Sequence, residues 1–165
     1  MKLKVISASA MVLAVCLSVM AMPKPDFSGA WVMDRGRSFG LPGNMQQTMT
    51  VTQTENQLEV ETKLIQPGNE RTVKDVFVFD GKEHEFTPPT PPNAPPAKGK
   101  RTSNWLPDGS AMVLNEVVTT ETPKGTVTTQ ITKKWKVNAA GELTIDLYVD
   151  GPNGSYEAKR IFIRK

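Results

Sequence analysis

The chain has 165 residues, and its 20 Lys and Arg residues against 17 Asp and Glu give a net charge of only +3 at pH 7. This length predicts a single domain, and so small a charge gives no support for a nucleic-acid partner, which would need clustered cations. Because the chain has one cysteine, Cys16, an intramolecular disulfide and a Cys-based metal site are excluded.

Residues 1–21 have the pattern of a cleavable secretory signal. Two lysines are followed by an apolar stretch from Val5 to about Leu17, and small residues precede a cleavage position after Ala21. The apolar run is shorter than the roughly 20 residues that a membrane-spanning helix needs. We therefore expect a protein of the periplasm or the cell exterior. An uncleaved anchor helix and a lipoprotein attached through Cys16 are the alternatives.

Cleavage at this position would change the composition of what remains. It would remove Cys16 and two basic residues but no acidic one, so residues 22–165 would carry a net charge of +1. Without a thiol, this part of the chain would have to be stable by packing alone. We predict one domain over 22–165, with no cofactor.

From Phe27 onward, β-type segments alternate with turn signals. In 57–65 and again in 126–138, apolar or Thr residues alternate with charged ones, as in strands with one buried face. Turn signals such as Asp80-Gly81 join neighbouring segments closely enough for antiparallel hairpins. We predict strands at 28–34, 45–54, 57–65, 71–79, 100–106, 111–121, 126–138, 142–149 and 155–164.

The predicted fold class is all-β: an antiparallel up-and-down meander closed into a barrel of about eight or nine strands. An open sheet of that width would leave unpaired backbone at both edges, and closure removes those edges. Several predicted strands are also longer than the usual five or six residues, which suits tilted barrel strands. A β-sandwich is the alternative.

Two segments interrupt the strands. Residues 35–44 predict a long loop across one end, and residues 87–98, with six prolines, favour a stiff extended left-handed helix. We interpret 87–98 as a loop within one barrel, because a linker there would leave two poorly stabilised halves. Exposed prolines can dock into a partner's aromatic groove, or they can form a rigid spacer.

The first predicted strand carries a family resemblance. Phe27-Ser28-Gly29-Ala30-Trp31, followed by Arg37-Ser38, an Asp-Gly-Lys-Glu turn and a mid-chain tryptophan, resembles the secreted bacterial lipocalin-like proteins, which are calycin-type barrels mostly without an assigned function. The resemblance implies that Trp31 plugs the closed end of a barrel. It also implies that an arginine of the last strand, Arg160 or Arg164, lies over that ring.

The end of the chain has a second resemblance. Arg160-Ile161-Phe162 resembles the end of fatty-acid-binding proteins, where Arg-x-Tyr fixes a ligand carboxylate. Here Phe162 takes the place of the tyrosine, so the hydroxyl is missing. The helical lid of that family has no counterpart in residues 35–44.

No catalytic or metal-binding residue is predicted. The chain has no nucleophile-elbow, phosphate-loop or zinc-protease motif, and strand alternation would place His84 on the face opposite Glu83 and Glu85, as a solvated rim residue. Glycosidic chemistry would need two carboxylates facing one cavity. The candidates within strands are Glu59, Glu61, Glu116 and Asp146.

The candidate ligand-binding residues are large inward-facing side chains and the polar residues that share their alternation: Trp31, Phe77, Trp105, Met112, Leu114, Glu116, Trp135, Arg160 and Phe162. Such side chains, with Met45, Met49 and Phe79, suit an adaptable pocket and suit a filled core equally well. We expect an exported, non-catalytic barrel that binds a small apolar or amphipathic molecule. The alternative is a filled barrel that contacts an envelope protein through its Pro-rich loop, and a carboxylate enzyme is the third hypothesis.

Overall fold

The computed structural model describes residues 23–40, 43–90 and 94–165, so the predicted signal at 1–21 lies outside the described residues. The described chain forms a short 3-10 turn at Arg35–Arg37 and ten strands: β1 (Gly29–Met33), β2 (Gln46–Gln53), β3 (Gln57–Gln66), β4 (Asn69–Val78), β5 (His84–Phe86), β6 (Ala97–Trp105), β7 (Met112–Thr122), β8 (Gly125–Val137), β9 (Leu143–Gly151) and β10 (Gly154–Arg164). None of the helical structure in these ranges is long and apolar enough to cross a membrane.

The strands form one antiparallel sheet in the order β4-β3-β2-β1-β10-β9-β8-β7-β6-β5. All hydrogen-bonded neighbours are consecutive in sequence except β1 and β10, where Trp31 pairs with Arg164 and Met33 with Phe162. The first strand is therefore closed onto the last. The predicted all-β, up-and-down barrel is confirmed, and the strands form a single curled sheet.

The structure has one strand more than the sequence predicts. β5 has only three residues, too few to show an alternation, and it pairs with β6 between His84 and Arg101 and between Phe86 and Gly99. β6 begins at Ala97, inside the segment predicted as a loop. It begins directly after the last proline, because proline has no N–H for the ladder.

The two ends of the sheet meet at a seam between β4 and β6. No described ladder joins these strands, and side chains of β6 span the gap instead. The Arg101 guanidinium donates from Nη2 to Asp75 Oδ1 at 2.9 Å, and Ser103 Oγ donates to the Val78 carbonyl at 2.6 Å. Below, this junction is called the β4–β6 seam.

The segment between β1 and β2 folds across β10. Arg37 donates to the carboxylates of both Asp34 and Glu142, and these hydrogen bonds lower the pKa of each carboxyl group. Phe39 then forms an antiparallel bridge with β10. The first part of the predicted loop, residues 35–40, is therefore held against the barrel wall by these contacts.

One half of the barrel interior is filled with side chains. Phe27, which precedes β1, is fully buried and stacks on Trp105 with ring centroids 5.6 Å apart; its ring also meets Trp135 edge-on at 5.8 Å. Its carbonyl accepts a hydrogen bond of 2.9 Å from Trp31 Nε1. The fully buried large side chains of this half are Phe27, Trp31, Leu58, Met112, Leu114, Leu143 and Phe162.

Arg164 covers the closed end of the barrel. Its guanidinium lies 4.6 Å from the centroid of the Trp31 ring, and its Nη1 donates to the Ser28 carbonyl at 2.8 Å. Gly29, with φ at 130°, makes room for this contact, since an added Cβ would lie 2.8 Å from Arg164 Nη1. Of the two arginines named from the sequence, it is therefore Arg164 that lies over Trp31, and Arg160 does not take part in this contact.

Candidate functional site

The other half of the barrel interior contains a cavity of about 330 Å³, near the lower end of the range for small-molecule pockets. Its walls are the inner faces of β2–β4 on one side and β8–β10 on the other. The apolar lining consists of Met45, Met49, Val60, Leu64, Val73, Phe77, Trp135, Ile145, Leu147 and Ala158, with Pro89 at its edge. The interior is therefore filled at the closed end and hollow at the other, a division that the sequence left open.

The mouth of the cavity is formed by exposed residues. Gly40, Arg71, Pro89 and Tyr156 all line the cavity and are open to solvent. Pro89 belongs to the Pro-rich segment, so the described start of that segment borders the entrance. Contact between this segment and an envelope protein stays a prediction.

Arg160 is a charged residue of the cavity wall that forms no ion pair with a carboxylate of the described residues. It projects inward from β10 between Ala158 and Phe162, and Ile145 of β9 lies opposite it. Its Nε is buried and has no hydrogen-bond partner among the described residues. Burial lowers the pKa of its guanidinium; Tyr156 opposes this shift, and no carboxylate contributes. A buried cation without an anion is unfavourable, and a bound acid would relieve that.

Four charged side chains form an ion network along the seam: Asp75, Arg101, Glu116 and Lys133. Arg101 and Glu116 are 5% and 4% exposed, and Arg101 Nη2 lies 3.2 Å from Glu116 Oε1. Lys133 Nζ donates to Glu116 Oε2 at 2.8 Å. Since the seam bond joins Asp75 to Arg101, two carboxylates offset two cations. The charge of the network is therefore balanced, unlike that of Arg160.

Aromatic rings hold the centre of this network in place. The Arg101 guanidinium lies 3.5 Å from the centroid of Phe86 and 4.8 Å from that of Phe77. Phe86 reaches it across Gly99, where an added Cβ would lie 2.2 Å from the Phe86 ring. Cation–π contacts of a desolvated guanidinium are among the stronger ones, so the rings fix Arg101 in the position from which it spans the seam.

The predicted ligand-binding residues fall into three groups. Phe77, Trp135 and Arg160 line the cavity. Glu116 is buried, as its alternation predicts, but lies behind Lys133 in the ion network. The others pack in or against the filled half, and their part in binding stays a prediction: Trp31, Trp105, Met112, Leu114 and Phe162.

Six polar residues of the cavity lining were not among the predicted site residues: Gln47, Thr62, Arg71, Asp75, Lys133 and Tyr156. Gln47 is only 4% exposed, with its amide oxygen unpaired among the described residues. Gln47, Asp75 and Lys133 each interrupt an inward-facing apolar series of their strands. A polar residue at such an inward position is the signal that would have found all three.

Neither His84 nor any of the carboxylates considered from the sequence, Glu59, Glu61, Glu116 and Asp146, lines the cavity. His84 lies at the surface, with Nε2 2.9 Å from Asp80 Oδ1, and in the described ranges no three His, Cys, Asp or Glu side chains are grouped to hold a metal ion. Glu59 and Glu61 are exposed. Asp75 is the one carboxylate among the described residues that line the cavity, so the pair required for glycosidic chemistry is not met there.

Comparison with known proteins supports the architecture. The structure is similar to that of zebrafish ileal bile acid-binding protein complexed with cholic acid, with a TM-score of 0.51 and 15% sequence identity over 84% of this chain and 98% of that chain. No family model matches the sequence, and no curated protein matches it significantly. At this identity the likeness shows the fold alone, which is an antiparallel up-and-down β-barrel.

Proposed function

We propose that this protein binds a small amphipathic acid in its cavity and carries out no chemistry on it. The observation that carries the proposal is Arg160, a half-buried residue whose Nε is buried and whose guanidinium has no anionic partner among the described residues, in a cavity with largely apolar walls. The guanidinium would pair with the acid group, and the apolar lining would take the body of the ligand.

Two further observations support a carrier rather than an enzyme. The structurally similar zebrafish protein is described as a bile acid-binding protein and was crystallised with cholic acid, which is an amphipathic acid. In addition, the cavity has only one carboxylate among the described residues, Asp75, and Arg101 occupies one of its oxygens.

Replacing Arg160 by methionine is the test of this function. Decanoate is expected to displace an environment-sensitive apolar dye from the wild-type protein. The Arg160→Met variant should bind decanoate roughly 10- to 100-fold more weakly, because a hydrogen bond to a charged group is lost, while its affinity for uncharged decanol should be unchanged. Fluorescence displacement on delipidated protein measures both.

Lys159→Met is the matched control for this test, since Lys159 lies on the same strand but pairs with Asp146 outside the cavity. It should leave both affinities unchanged. If the wild-type protein has no dye site and binds neither compound, the carrier function is wrong. Equal decanoate affinity in the wild type and in Arg160→Met would contradict the role of Arg160.

We also propose that the protein is exported and that residues 1–21 are removed. Expression in a bacterial host should give a periplasmic or secreted product whose intact mass corresponds to a chain starting at Met22. Substituting Ala21 with arginine should leave the precursor uncut, since a large residue blocks the cleavage position. A cytoplasmic product that retains the leader would contradict the proposal. A change in the attachment of the protein to membranes on Cys16→Ser would instead support the lipoprotein alternative.

A further inference from the structure

Polar groups lie on the side of the cavity away from Arg160. In the order of the sheet, Asp75 on β4 is separated from β10 by three strands, and Lys133 on β8 is separated from it by one. Lys133 lies opposite Leu147, which lies opposite Ala158, two residues before Arg160. Strand spacing and rise then place the Cα atoms of Lys133 and Arg160 about 12 Å apart. Asp75 and Lys133 are called the far wall below.

Both residues of the far wall keep unused hydrogen-bonding capacity. Asp75 accepts two hydrogen bonds from Arg101, at 3.0 and 2.9 Å, and both go to Oδ1. No described donor reaches Oδ2. Lys133 uses one N–H on Glu116, and an ammonium group has three. Since Asp75 and Lys133 both line the cavity, the far wall has one acceptor and at least one donor that a ligand there could use.

The charge of the far wall determines which group it suits. Asp75 and Lys133 belong to the balanced ion network, so an anion or a cation placed there would lose its hydration without a compensating countercharge. A hydroxyl group is uncharged and can donate to Asp75 while it accepts from Lys133. Between this wall and Arg160 lie the apolar side chains of Trp135, Ile145 and Leu147.

We infer that the ligand is an acid with an uncharged polar group, of hydroxyl type, at the end remote from its acid group. Arg160 would take the acid, the apolar residues would take the middle of the molecule, and the far wall would take the hydroxyl. This inference rests on the proposed function, since it assigns the second end of a molecule held in the same cavity.

The experiment compares three linear probes of equal length by isothermal titration calorimetry: decanoate, ω-hydroxydecanoate and the dicarboxylate decanedioate. The wild-type protein should bind ω-hydroxydecanoate roughly ten-fold more tightly than decanoate, because the far wall hydrogen-bonds the hydroxyl group. Decanedioate should be the weakest of the three. The Lys133→Met variant should remove most of the preference for the hydroxyl group.

Lys134→Met is the matched control, because Lys134 is the next residue of β8 and faces solvent; it should keep the full preference. Lys133→Met leaves Glu116 paired with Arg101 at 3.2 Å, so the buried carboxylate keeps a partner. Equal affinity of the wild type for decanoate and ω-hydroxydecanoate, or tighter binding of decanedioate, overturns the inference and leaves the proposed function intact. If none of the probes binds, the proposed function fails as well.

Discussion

Replacing Glu116 with alanine is expected to destabilise the protein by about 3–5 kcal/mol, because removing one member of a buried ion pair leaves the other charge uncompensated. Here Arg101 at 3.2 Å and Lys133 at 2.8 Å lose their shared partner, so the network keeps two cations but only one carboxylate, Asp75. Arg101 is itself 5% exposed, and Asp75 at 2.9 Å is the one carboxylate with which it would remain paired among the described residues. Urea-induced unfolding measures the change in the free energy of unfolding.

Glu121→Ala is the control, since Glu121 lies on the same strand but is exposed; its effect should stay within about 0.5 kcal/mol. The double variant Arg101→Met, Glu116→Leu should be more stable than Glu116→Ala, because apolar residues of similar volume replace both members of the pair. A loss below about 1 kcal/mol in Glu116→Ala would show that water reaches and solvates the two cations.

Replacing Phe27 with alanine should also cost about 3–5 kcal/mol, the usual loss for a buried phenylalanine. Phe27 is fully buried and packs against both Trp105 and Trp135. The substitution therefore leaves a void at the closed end of the barrel. Thermal unfolding measures the loss of stability, and the tryptophan emission of the folded variant should move to longer wavelength as water approaches the indole rings.

The matched control for this substitution is Phe39→Ala. Phe39 is 53% exposed, and truncating it should change stability by about 0.5 kcal/mol or less. Similar losses in the two variants would mean that the closed end does not depend on Phe27.

Strand alternation was sufficient to predict most of the fold. A strand of ten residues with one buried face, such as β3, repeats its pattern several times, so its position and inner face can be read locally. β5 is too short for such a pattern. No local pattern indicates that β1 pairs with β10. That pairing was predicted because a wide open sheet would expose unpaired backbone groups at both edges.

The candidate site was harder to predict because it depends on which residues meet across strands. Alternation shows that Glu116 points inward, but only the register places Arg101 directly opposite it. Alternation likewise treats Trp31 and Trp135 as equivalent inward-facing residues. The register and the position of the segment before β1 decide that Trp31 packs at the closed end while Trp135 reaches the cavity.

The closure of β1 onto β10 has a consequence for the order of folding. The Arg164–Ser28 hydrogen bond joins residues 136 positions apart, whereas hairpins such as β7–β8 involve only near neighbours. Hairpins form within roughly 1–10 μs. A contact of such long range forms more slowly, because closing a large loop has an entropic cost. Barrel closure should therefore be the slow step, in the millisecond-to-second range of β-proteins with non-local pairing. Until β1 pairs with β10, the facing edges of these two strands and the side chain of Phe27 stay exposed. The chain is most prone to aggregate during this interval.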